Sequence, residues 1–107
     1  MQHDDSMIAE MARARREELR WVILRALNAA HPMGTTETVV MSAIAPLFAD
    51  VTTAELRREI AYLEERGLIE IGEKRRPIWQ AKINRHGIDI VEYTVDCQPG
   101  IARPEQW

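Results

Sequence analysis

One cysteine and three histidines are all this 107-residue chain offers of the side chains that most often ligate metals or attack substrates. Cys97 has no second cysteine to pair with, so an internal disulfide is excluded. With no histidine close to it in sequence it reads as a passive thiol. His3, His31 and His86 are scattered without ligand spacing, so no metal site is expected. There is no glycine-rich phosphate loop, no nucleophile elbow and no zinc-binding helix motif. No pair of carboxylates falls where the apolar pattern would bury both. The expectation is a protein that is not an enzyme, with no cofactor and no catalytic residue.

Long apolar runs are missing too. The longest stretch without a charge, Thr38 to Ala49, is far too short to span a bilayer, and the first residues, Met1-Gln2-His3-Asp4-Asp5, are acidic where a secretory leader is basic. A cytoplasmic location is expected. Overall positive charge is also lacking: the net charge is −3, so any affinity for nucleic acid has to come from a local patch.

What is present is an ordinary globular composition, 46% apolar and 29% charged, enough for one modest core. Ser6 to about Ala30 is rich in helix formers, with Leu19, Ile23, Ala26 and Leu27 on one face. The earlier part, with Met7, Met11 and Arg13 to Arg16, is more polar than a buried helix needs. It is either a surface that meets a second copy, making a homodimer, or a solvated terminus. His31-Pro32-Met33-Gly34 makes a tight connection. A second helix follows, capped by Thr35 or Thr36 with Glu37 in its first turn and Val40, Ile44, Leu47 and Phe48 as its apolar face. Pro46 ends it near Ala45 or kinks it.

Thr52 and Glu55 have the spacing of a reciprocal capping box, and Val51 and Leu56 that of a hydrophobic staple. Gly67 is placed to stop the third helix, Thr53 to about Arg66, with Leu68 folding back on Leu63. Leu68 to Ile71 and Ile78 to Ile83 are β-prone runs around the charged loop Gly72 to Pro77, a hairpin with Trp79, Ala81 and Ile83 facing the helices. Asn84 caps a fourth helix to about Tyr93, with Ile88, Val91 and Val95 along its stripe and His86 packed or capping nearby. Residues 96–107, with two prolines and a glycine, read as an extended arm pinned by Ile101 or Trp107, and residues 1–95 as the domain.

This order, three helices, two strands and a helix, is mostly α with a β-hairpin (α+β) and resembles winged helix-turn-helix domains. Leu63-Glu64-Glu65-Arg66-Gly67-Leu68-Ile69 resembles the exit from recognition helix to wing in bacterial regulators, and Ala81 to Ile88 resembles the end of the wing. Arg85 to Tyr93, with Cys97 to Pro104, is also similar to small uncharacterised proteins of Mu-like prophages, which implies no activity.

The resemblance implies double-stranded DNA as partner and transcription regulation as role. On the third helix the face opposite Leu56, Ile60 and Leu63 carries Ala54, Arg58, Ala61 and Glu65, flanked by Arg57 and Tyr62, with Thr53 at its start. Small alanines would allow close approach, and the arginines and Tyr62 would reach bases or phosphates. Against this, the helix has three arginines and four glutamates, so a solvated face laced with ion pairs is the alternative. From Glu70 to Arg85 five cations face two anions. Lys74, Arg75 and Arg76 at the tip suit phosphate contact, although charged tips also serve solubility. The competing function is a protein-interaction module, such as a phage packaging or assembly accessory, with the same fold and no DNA.

Overall fold

The computed structural model describes residues 2–106. Among them four helices and a small sheet form one α+β unit: α1 (Gln2–Ala29), β1 (Thr35–Thr36), α2 (Glu37–Ile44), α3 (Thr53–Glu65), β2 (Ile69–Ile71), β3 (Gln80–Ile83) and α4 (Arg85–Val91). The strands are antiparallel and ordered β1-β3-β2, with Thr35 opposite Ala81 and Ile69 opposite Ile83.

Helix α1 is the spine. Its 28 residues span about 42 Å at 1.5 Å per residue, close to the longest dimension of the molecule, 47 Å. Leu19, Ile23, Leu24 and Leu27 are completely buried and form the centre of the core. Residues 5–14, in contrast, are exposed throughout.

Thr36 caps α2 by accepting a hydrogen bond from the Val39 amide, and Val40 and Ile44 point inward. The helix ends at Ile44, two residues short of Pro46, whose ring would collide with the preceding turn. Beyond that point the helical period no longer applies, and this corrects one expectation. Phe48 is buried, but Leu47 stands out of the turn at 69% exposure.

The Thr52 hydroxyl accepts from the Glu55 amide at 3.1 Å, half of the expected capping box. The other half does not form, because the Glu55 carboxylate turns to Arg15 of α1 instead. At the far end Gly67 takes φ +77 and the Leu68 amide donates to the Leu63 carbonyl at 3.0 Å, the expected helix stop.

The hairpin forms with Ala81 and Ile83 buried and Gln80 and Lys82 outward, but Trp79 lies just before the strand. The sheet has a third strand that was not expected, β1. Gly34, read as a connector, permits it: at φ +78, a Cβ there would stand 2.6 Å from the Ala81 carbonyl oxygen.

Asn84 caps α4 through the Gly87 amide and donates to the Gly67 carbonyl, so one side chain links two helix ends. The stripe of α4 is Ile88 and Ile90; Val91 is only partly buried, Val95 is exposed, and so is His86. Tyr93 at φ +63 turns the chain back over α1. Its ring meets Trp21 edge-on at 6.3 Å. The arm is then held by buried Ile101, by the Ala102 amide on the Glu17 carbonyl, and by Arg103 on the Ile90 and Val95 carbonyls. Trp107, the alternative anchor, lies outside the described residues. Among those residues no helix is long and apolar enough to cross a membrane.

Candidate nucleic-acid interface

The hairpin loop, residues 72–79, is fastened to α3 by two clasps. At one, Arg57 donates from Nε and Nη2 to the two carboxylate oxygens of Glu37, at 2.8 and 2.7 Å, and from Nη2 to the Pro77 carbonyl at 2.7 Å. The Trp79 amide donates to the same carboxylate, and the Trp79 ring stacks on the Arg57 guanidinium, 4.7 Å from centroid. Glu37 is only 5% exposed. The Arg57 bond, aided by the Trp79 amide and opposed by burial, holds its carboxyl below the usual carboxylate range. At the other clasp, Glu64 of α3 accepts from Lys74 Nζ at 2.7 Å and from the Ile71 amide.

These clasps decide which of the expected contact residues are free. Thr53, Ala54 and Arg58 are exposed on α3, and Ala61 is half-buried beside them. Arg75 and Arg76 are exposed on the loop, and among the described residues neither side chain has a hydrogen-bond or ion-pair partner. Arg57 is not the free guanidinium that its place on the helix suggested, since its fork is filled by Glu37 and Pro77. Lys74 is likewise turned back onto Glu64.

Tyr62 also departs from expectation. It is partly buried under the C-terminal arm, with the Arg20 guanidinium 3.6 Å above its ring and its hydroxyl accepting from Arg66. Gly100 of the arm passes so close that a Cβ there would meet the Tyr62 oxygen at 2.2 Å. Tyr62 therefore anchors the arm rather than facing solvent.

The charge balance of α3 changes in the same way. Of its four glutamates, Glu55 is held by Arg15, Glu59 by Arg20 at 2.7 Å and Glu64 by Lys74. Glu59 is 1% exposed, although the sequence counted it among the solvated charges. Only Glu65 remains unpaired beside Arg58 among the described residues. An open cleft of about 550 Å³ separates α3 from α1, edged by Arg16 and Arg58.

No family model, curated protein or solved structure matches this chain. What the surface can do is set by its own residues.

Two of them, Glu37 and Glu59, were missed as structural groups, and the signal for both was in the spacing. Glu37 precedes Val40 and Ile44 by three and seven positions, and Glu59 lies between Leu56 and Leu63, so each falls inside an apolar stripe. A carboxylate there has to find a cation. Among the described residues no cluster of histidine, cysteine or carboxylates is placed to hold a metal ion. Cys97 is half-buried, and burial pushes its thiol pKa up from the ordinary value, which disfavours the reactive thiolate.

Proposed function

We propose that this chain is a winged-helix protein that binds double-stranded DNA, with α3 in the major groove and the hairpin loop on the phosphate backbone, in the manner of a phage-type transcription regulator. The observation that carries this reading is the strip of exposed Thr53, Ala54 and Arg58 with half-buried Ala61 beside them, next to which the loop bearing Arg75 and Arg76 is clasped to α3 at Arg57 and Glu64. Small residues at positions 54 and 61 leave room for a duplex, Arg58 projects from the same face, and unpaired loop arginines are suited to phosphates. The acidity of α3, the main objection from sequence, is largely neutralised by cations from α1 and the hairpin.

A specific observation favours a second reading, a protein-interaction module. Glu65 is exposed on the same face of α3, and Val39 and Ile78 are 55% and 51% exposed, so the surface is neither uniformly basic nor uniformly polar.

Titration of a labelled mixed-sequence duplex at low and moderate salt separates the two. DNA binding is expected to weaken steeply with salt, and replacing both Arg75 and Arg76 by alanine is expected to flatten the log–log salt slope by roughly 2. No binding at low salt would overturn the DNA reading and leave the interaction module.

A further inference from the structure

Three turns of α1 have no cover from the rest of the chain. Met7, Ile8 and Met11 are 61%, 64% and 65% exposed on a helix that continues, unbroken, into the core. Helical turns without packing are marginal in water, and apolar side chains on them add to the cost. Positions 7, 11, 14, 18, 22 and 25 follow at spacings of three and four, so they share one stripe. Where that stripe reaches the body of the molecule it becomes the floor of a groove of about 620 Å³. Leu47 and Phe48 form one wall, and Trp21 with Ala102 and Pro104 of the arm forms the other.

We infer that the occupant of this groove is a second copy of the chain, its α1 lying antiparallel to the first and crossing it near Ala14. The bare stripe runs directly into the groove, whose α1 floor extends from Met11 to Val22, so a two-fold axis between positions 14 and 15 lays the stripe of each copy in the groove of the other. Met7 of each copy then lies over Val22 of the other, and Met11 over Glu18. This is the closed, isologous arrangement that symmetric dimers use.

Charge favours the same direction. The free end of α1 carries the exposed carboxylates of Asp5 and Glu10, while Arg25 is exposed at the other end of the stripe. Antiparallel helices set the acidic end of each copy against Arg25 of the other, whereas parallel helices set like against like. Ala14, small and exposed, lets the two backbones approach at the crossing. Leu47 would then be covered, which accounts for an apolar side chain left outside the core. The seam is narrow compared with a standard interface of about 800 Å² per partner, so the dimer is reversible. Nothing in this inference depends on whether the chain binds DNA.

Sedimentation equilibrium of the full chain tests it, with a dimer expected at roughly 200 µM. Met11→Asp and Leu47→Asp, on different elements but in the same interface, are each expected to give monomers that melt at the wild-type temperature, because both side chains are exposed within one copy. With Cys97 replaced by serine, Ala14→Cys is expected to form an intermolecular disulfide on oxidation, and Thr38→Cys on α2 is not. A wild-type monomer at that concentration, a dimer indifferent to both aspartates, or cross-linking through position 38 but not 14 would each overturn the inference.

Discussion

Arg57 and Glu37 are joined through both ends of the guanidinium fork, and through that one pair α2, α3 and the hairpin loop are locked together. The arginine is a third exposed while its partner is almost completely buried. The arrangement positions the loop, and it removes Arg57 from the surface that α3 presents to a partner.

Glu37→Gln is expected to destabilise the protein by about 1–3 kcal/mol at neutral pH, because a buried charge-assisted pair becomes a weaker neutral one. The pH dependence follows from the lowered pKa of Glu37. A carboxyl whose folded pKa is depressed contributes its full stability above the unfolded value, near 4.3, and loses it as pH falls through the folded value. The stability difference between wild type and variant, from urea unfolding, is expected to be level above about pH 6 and to shrink below pH ~4. A difference that stayed constant down to acid denaturation would exclude the ion pair as its source.

Among the described residues Arg20 and Glu59 form the most buried ion pair, with side chains 13% and 1% exposed, and Glu59 Oε2 has no hydrogen-bond partner there. Removing one partner leaves a desolvated charge behind, so Glu59→Ala is expected to cost about 3 kcal/mol. Replacing both, Arg20→Met with Glu59→Leu, is expected to recover most of that loss. Thermal melts of the three variants decide it, and a double variant no better than Glu59→Ala would show that packing, not charge, sets the cost.

Two glycines are required for different reasons, and asparagine separates them. Gly67 has a positive φ with nothing near its missing Cβ, while a Cβ on Gly87 would meet the Leu68 carbonyl oxygen at 2.3 Å and Ile83 Cγ1 at 2.6 Å. Alanine is expected to cost about 1–2 kcal/mol at 67 and about 1–3 kcal/mol or more at 87. Asparagine, which tolerates the left-handed region, is expected to be accepted at 67 and rejected at 87. Midpoints of denaturant unfolding read this out.

Arg57 and Arg58 are neighbours with opposite roles. Arg58→Ala is expected to lower duplex affinity while keeping stability within about 0.5 kcal/mol of wild type. Arg57→Ala is expected to lower the melting temperature, with any loss of affinity following from a loosened loop. Anisotropy titrations beside melting curves distinguish them, and equal effects of the two substitutions on stability would contradict the assigned roles.

The sequence by itself determined what depends on neighbours a few residues apart: the apolar stripe of α1 through Leu19, Ile23 and Leu27, the caps at Thr52 and Asn84, the stop at Gly67 and the alternation of β3. Tertiary structure alone decided that two residues, Thr35 and Thr36, make a strand, since their partners lie more than forty positions on and no local pattern marks them. It also decided which charges face water. Glu37, Glu55, Glu59 and Glu64 each take a cation from another element, and the arm covers Tyr62. Periodicity and capping are short-range and written in order along the chain, whereas an ion pair is chosen by whichever opposite charge the packed helices bring within reach.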